Sequence, residues 1–181
     1  MNGDLESLVL SEKQIAEKVK EAAAWLDEKF KDAKTPPLAV SVLKGSVFFF
    51  CDLVRAMNTP VELDFMTVSS YGNSAESSGI PKIIMDLSVS VQGRDVILVE
   101  DIVDSGHTLV RMRELISGRG AKSFTVVTLF DKPSRRKAPV KADYSCFEVG
   151  DDFIVGYGLD YAQQYRSLPY VGVLKPGIYG K

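Results

Sequence analysis

Histidine is nearly absent: the 181-residue chain has one, His107. That scarcity removes whole classes of chemistry. Zinc sites built on two or three histidines, including the H-E-x-x-H helix, are excluded. A Ser–His–Asp triad would have to use His107, and a metal would be held by oxygen ligands. Cysteine is scarce too, with only Cys51 and Cys146, far apart in apolar surroundings. They form no metal spacing and no redox pair, and read as two buried thiols in a reducing compartment. No apolar run approaches the roughly eighteen residues of a membrane span. The start of the chain, with Asp4 and Glu6, lacks the apolar core of a signal peptide. Neither charge sign dominates: the net charge is −2 and the pI about 5.5, which argues against a general nucleic-acid or membrane binder. Two phosphate motifs are missing, G-x-x-x-x-G-K-[ST] and a strand followed by G-x-G-x-x-G. There is no internal repeat and no low-complexity segment.

What is present fits one α/β domain over residues 1–181, with 45% hydrophobic and 25% charged residues and enough chain for a full core. The most informative stretch is Val96-Ile-Leu-Val-Glu-Asp-Ile-Val-Asp-Ser-Gly-His-Thr-Leu109. Val96–Val99 reads as a buried strand. The chain then passes through Glu100, Asp101 and Asp104 into a small polar loop, and Leu109, Met112, Leu115 and Ile116 recur at helical spacing. A loop of residues 104–108 opening a helix leaves backbone N–H groups unpaired, and the helix dipole adds positive potential there. That combination suits a phosphate. Gly106 allows close backbone approach, while Ser105 and Thr108 add hydroxyls. The acids sit at the carboxyl end of the strand, where α/β sheets bind ligands. Adjacent carboxylates call for a cation or many donors, such as hydrated Mg²⁺ or a ribose diol. Taken singly, each acid or hydroxyl also fits an ordinary solvated βα loop.

Elsewhere, Ser11-Glu-Lys-Gln14 looks like a capping box opening a helix over 12–32. Residues 38–43 read as a buried strand, and residues 47–57 as a helix whose Phe48-Phe49-Phe50 triple belongs to core or to a subunit contact. Between them, Lys44-Gly45-Ser46 is either a phosphate contact with Ser46 as cap or a plain turn with a surface lysine. Residues 61–69 and 83–87 read as strands around a long polar loop at about 69–80, a linker or a lid. A strand over 123–130 ends in Asp131-Lys-Pro-Ser-Arg-Arg-Lys137, a solvated basic turn unless the ligand carries pyrophosphate. Phe153 is a core residue or a flat face for an aromatic base. Asp160 emerges after a strand-like run.

Val99-Glu-Asp-Ile-Val-Asp-Ser-Gly-His-Thr-Leu109 resembles the phosphoribosyl pyrophosphate (PRPP) motif of type I phosphoribosyltransferases. Leu129-Phe-Asp-Lys-Pro-Ser-Arg-Arg136 and Phe153-Ile-Val-Gly-Tyr-Gly-Leu-Asp-Tyr161 are similar to the hypoxanthine/guanine branch, and the resemblance runs from about residue 8 to 175. It implies a mostly parallel central sheet flanked by helices, with a small hood from both ends of the chain and a flexible lid. It implies transfer of 5-phosphoribosyl from PRPP to N9 of hypoxanthine or guanine, giving IMP or GMP and pyrophosphate. By the same resemblance, Glu100 and Asp101 would hold the ribose hydroxyls directly or through Mg²⁺, and Asp104 would be the acid/base near purine N7. Residues Asp104, Ser105, Gly106, His107 and Thr108 would take the 5′-phosphate. Lys132 would bond the 6-oxo group, Phe153 would stack on the ring and Ile154 would meet its edge. Asp160 would bind a second Mg²⁺ beside the purine. Lys44, Gly45, Arg135 and Arg166 would serve pyrophosphate, with Ser70 and Tyr71 in the lid. Ser105 stands where threonine is common, and His107 at a variable position. The implied setting is the cytoplasm, as a homodimer or homotetramer, without nucleic acid or membrane. Two alternatives stay open: a xanthine/guanine enzyme, and a non-catalytic nucleotide-binding regulator of the same fold.

Overall fold

The computed structural model describes residues 2–69 and 82–180. Most of the lid segment, with Ser70 and Tyr71, lies outside them. A strand β1 (Leu5–Leu10) comes first, then helix α1 (Glu12–Phe30). The capping box is real: Gln14 N–H donates to Ser11 Oγ at 3.3 Å and Ser11 N–H to Gln14 Oε1 at 2.9 Å. Replacing Ser11 would cost about 1 kcal/mol. Ile15, Val19, Ala22, Ala23, Leu26 and Phe30 line the buried stripe of α1, as their spacing predicts.

The main sheet follows. β2 (Leu38–Leu43) leads into α2 (Val47–Ala56), then come β3 (Glu62–Ser69), β4 (Lys82–Met85) and β5 (Asp95–Val103). Helix α3 (His107–Gly118), β6 (Ser123–Asp131) and β7 (Tyr144–Glu148) complete it. The order is β4-β3-β2-β5-β6-β7, with β4 antiparallel and the rest parallel. Parallel strands need both faces covered. Here α1 and α2 cover one face, with Phe49, Phe50 and Leu53 against Ile97 and Val99. α3 covers the other, with Leu109, Met112 and Ile116 against Leu98 and Val126. Of the phenylalanine triple, two are core and Phe48 is 41% exposed. No helix among the described residues is long and apolar enough to cross a membrane.

The expected hood is a separate three-stranded sheet in the order β1-β9-β8, with β8 (Ile154–Val155) and β9 (Val171–Leu174) antiparallel to their neighbours. A short helix, α4 (Pro176–Tyr179), follows β9. Three expectations need correction. β5 does not stop at Val99 but pairs with β6 through Val103, so Glu100 and Asp101 lie within the strand. Ser46 makes no side-chain cap; it is buried and donates to the Val42 carbonyl at 2.7 Å. Cys51 is exposed, and only Cys146 is buried, its thiol pushed up to about 12 by that burial.

Candidate functional site

Two strand-to-helix junctions meet at the carboxyl edge of the sheet. β2 and β5 pair in parallel, so the loops that follow them are neighbours. A cavity of about 330 Å³ opens there. Its wall includes Lys44 and Gly45 after β2, Glu100 and Asp101 on β5, and Asp104, Ser105, Gly106 and Thr108 after β5. The third side comes from the hood, through Asp160 and Arg166. Ten residues expected from sequence thus share one space.

The local geometry suits an anion. Gly106 is the N-cap of α3 at φ 87°, a conformation that glycine adopts without strain. α3 therefore starts at His107, and the turn before it carries Asp104-Ser105-Gly106. A Cβ on Gly106 would meet Val140 Cγ2 at 2.7 Å. Gly45 is equally constrained: a Cβ there would fall 1.6 Å from Asp101 Oδ2. Gly158 of the hood packs on the same loop, since its Cβ would lie 1.9 Å from the Gly45 carbonyl oxygen.

Electrostatics divide the cavity. Glu100 is 6% exposed, and burial pushes its carboxyl well up, with Asp101 adding repulsion. Burial also raises Asp101, while its own neighbour's N–H, from Ile102 at 2.8 Å, and Arg166 pull the other way. Asp104 keeps one sheltered oxygen, Oδ1, without a hydrogen-bond partner among the described residues. Arg135 Nε approaches that oxygen at 3.8 Å. In the hood, Arg166 pairs with Asp160 at 2.7 Å and donates to the Gly158 carbonyl at 2.7 Å. Gln163 Oε1 accepts from Arg166 at 3.3 Å and from Lys44 at 3.4 Å.

Among the described residues no three metal-type side chains form a ready cluster. The donor set nevertheless fits Mg²⁺: Glu100, Asp101 and Asp160 are hard oxygen ligands on one cavity, burial raises the first two, and neither of those makes a salt bridge among the described residues. Mg²⁺ keeps several waters and takes substrate oxygens, so it needs no complete protein cage.

The family model for the phosphoribosyl transferase domain matches residues 8–162. The chain belongs to the phosphoribosyltransferase family. It is 56% identical to the hypoxanthine-guanine phosphoribosyltransferase of Bacillus subtilis, over 99% of this chain and 98% of that one. It is 49% identical over its whole length to the bifunctional protein TilS/HprT of Listeria innocua, of which it spans 28%. Its fold superposes on the crystal structure of a hypoxanthine phosphoribosyltransferase from Staphylococcus aureus with a TM-score of 0.94 at 43% identity, covering 100% and 97% of the two chains.

Not every expected phosphoribosyltransferase residue lines that cavity. His107 is exposed and outside the lining. Lys132, Phe153, Ile154 and Arg135 also lie outside it. Lys132 is buried, its ammonium lowered by that burial, and Nζ donates to the Asp152 carbonyl at 2.9 Å. Phe153 stacks on Tyr179 with centroids 4.7 Å apart and meets Tyr161 edge-on at 5.7 Å. Sequence reasoning missed Gln163, Tyr179 and Arg136. Nothing in the pattern marks them: Gln163 sits in a polar turn, Tyr179 near the C-terminus, and Arg136 in a run of three cations.

Proposed function

We propose that the chain transfers the 5-phosphoribosyl group of PRPP to N9 of hypoxanthine or guanine, releasing pyrophosphate and forming IMP or GMP. One observation carries the site assignment: a glycine-turned loop, the buried acid Glu100 with its half-buried neighbour Asp101, and two cations share a single cavity. The names of the relatives favour these 6-oxopurines over xanthine and favour an enzyme over a regulator.

Asp104, Ser105, Gly106, His107 and Thr108 hold the 5′-phosphate at the start of α3. Glu100 and Asp101 take the ribose hydroxyls. Glu100 and Asp101 would hold Mg²⁺ and Asp160 a second one, which would supply neutralisation of oxygen charge on the sugar and its leaving group. Lys44, Arg135 and Arg166, with the Gly45 backbone, stabilise the charge that builds on the departing pyrophosphate. As the C1′–O bond to pyrophosphate breaks, N9 bonds to C1′, and Asp104 takes the proton lost from N7. Lys132 has three donors, so it can serve both the Asp152 carbonyl and the 6-oxo group. Phe153 offers the face that Tyr179 leaves open, and the Ile154 backbone meets the purine edge. Ser70 and Tyr71 belong to a lid that keeps water from the activated sugar. The enzyme works in the cytoplasm as a homodimer or homotetramer, with Phe48 at the contact between copies.

The test is a spectrophotometric assay with PRPP, Mg²⁺ and each of hypoxanthine, guanine, xanthine, adenine and uracil. Hypoxanthine and guanine should turn over, and EDTA should stop the reaction. Asp104→Ala should lower kcat by about a hundredfold or more, the scale of a lost acid/base group. Binding of PRPP without turnover of any base would favour the regulator instead.

A further inference from the structure

Two adjacent arginines in the basic turn after β6 have different surroundings. The Arg135 side chain is 57% exposed, while that of Arg136 is 15% exposed and turned under the loop that follows β5. Arg136 Nε donates to the Asp104 carbonyl at 2.9 Å, and Nη2 to the Val103 carbonyl at 3.1 Å. Nη2 also pairs with the Asp131 carboxylate, and Nη1 donates to the Val140 carbonyl at 2.5 Å. From the same side, the N–H groups of Lys137 and Ala138 donate to the Ser105 carbonyl at 2.9 and 3.1 Å. The Lys132 N–H donates to the Val103 carbonyl at 3.0 Å.

Three successive carbonyls, 103 to 105, are therefore held from behind. A peptide unit is planar and trans, so its N–H points opposite to its C=O. Holding those carbonyls back turns the N–H groups of Asp104, Ser105 and Gly106 the other way, toward the cavity that these residues line. Successive N–H groups facing one way form an anion nest. Gly106 belongs to the same fit, because a Cβ there would lie 2.9 Å from Arg136 Cδ. A lysine could keep the Asp131 pair but not the planar fork that reaches two loop carbonyls at once.

We infer that Arg136 is a positioning residue for the 5′-phosphate: it sets the direction of the loop amides from behind and does not touch the ligand. The inference rests on the reading of residues 104–108 as the 5′-phosphate cradle. The test uses the full chain as wild type, Arg136→Gln and Arg136→Lys. It measures calorimetric Kd for IMP and for Mg²⁺-pyrophosphate, with KM for PRPP and kcat alongside. In Arg136→Gln, the IMP Kd and the PRPP KM should rise by about tenfold or more, the scale of hydrogen bonds lost from a charged donor. Pyrophosphate affinity should fall clearly less than IMP affinity, because Lys44, Gly45 and Arg166 lie on other elements and only Arg135 shares the turn with Arg136, and kcat should change less than KM. Arg136→Lys should resemble the Gln variant, and it carries the test if the Gln variant does not fold. Unchanged IMP affinity in a folded variant of lower Tm, or equal losses for IMP and pyrophosphate, would overturn the inference. Wild-type protein that does not bind IMP would instead overturn the cradle reading beneath it.

Discussion

The β2–α2 and β5–α3 junctions occupy adjacent parallel strands and open into the same cavity, yet they turn different groups outward. After β2 the loop presents a cation, Lys44, and its hydroxyl is turned inside, where Ser46 bonds the Val42 carbonyl and the Ser41 hydroxyl. After β5 the loop presents acids, and its N-cap is a glycine at φ 87° with no side chain at all. One loop is sealed from within by a side chain; the other is held from outside by the 131–140 segment. The same strand–loop–helix plan thus yields a cationic lip or an acidic, glycine-capped turn, according to which groups its neighbours hold back.

Variants at matched positions break this pairing to different degrees. Gly45→Ala should be most severe. Its Cβ would fall on the Asp101 carboxylate, so either the acid or the loop must move. Steady-state kinetics should show kcat/KM down by about a hundredfold, as for misplacement on the ångström scale, with circular dichroism unchanged. Gly106→Ala strains the other loop, by φ and by contact with Val140 and Arg136. Urea unfolding should show a loss of about 1–3 kcal/mol, and PRPP KM should rise.

Glu100→Gln tests the acidic side through pH. Burial, then Asp101, raises the Glu100 carboxyl in the folded chain. The folded state therefore binds a proton that the unfolded state has lost, and stability falls as pH climbs from the ordinary carboxylate range to the raised folded value. The Gln variant should lose that slope and be the more stable protein at neutral pH, although less active. Unfolding midpoints across a pH series check this; parallel curves for the two proteins would contradict it. Ser46→Ala should do least to the kinetics: it loses the hydrogen bonds to the Val42 carbonyl and the Ser41 hydroxyl, costing about 1–3 kcal/mol of stability, and leaves the pyrophosphate kinetics unchanged.

The legible features were those with local causes. The stripe of α1 and its cap, the apolar run of β5 and the glycine turn all follow from short-range pattern. What escaped depends on distant partners. β5 continues through Glu100 and Asp101 because Glu100, Ile102 and Val103 still have partners on β6, which apolarity does not reveal. Arg135, Arg136 and Lys137 look alike in sequence, and only the fold turns the middle one inward. Ser46 looks like a cap until buried Ser41 and the Val42 carbonyl claim its hydroxyl. The ten expected residues among the cavity lining were legible largely because they lie on three short segments that resemble a known family. For Phe153 the residues alone left core or base face open, and the base-binding roles expected of Lys132, Phe153 and Ile154 rest on that resemblance.

Gly45 lies between the Asp101 carboxylate on one side and the backbone of Gly158 on the other. Acid, loop and hood are stacked there with no side chain between loop and hood to shorten or exchange. The width of the pocket at that point is therefore a property of the chain path. Enlarging it for a bulkier substrate cannot be done by trimming side chains at this contact; it requires the hood to swing as a body, and that swing would be felt at Asp101 through a single layer of peptide.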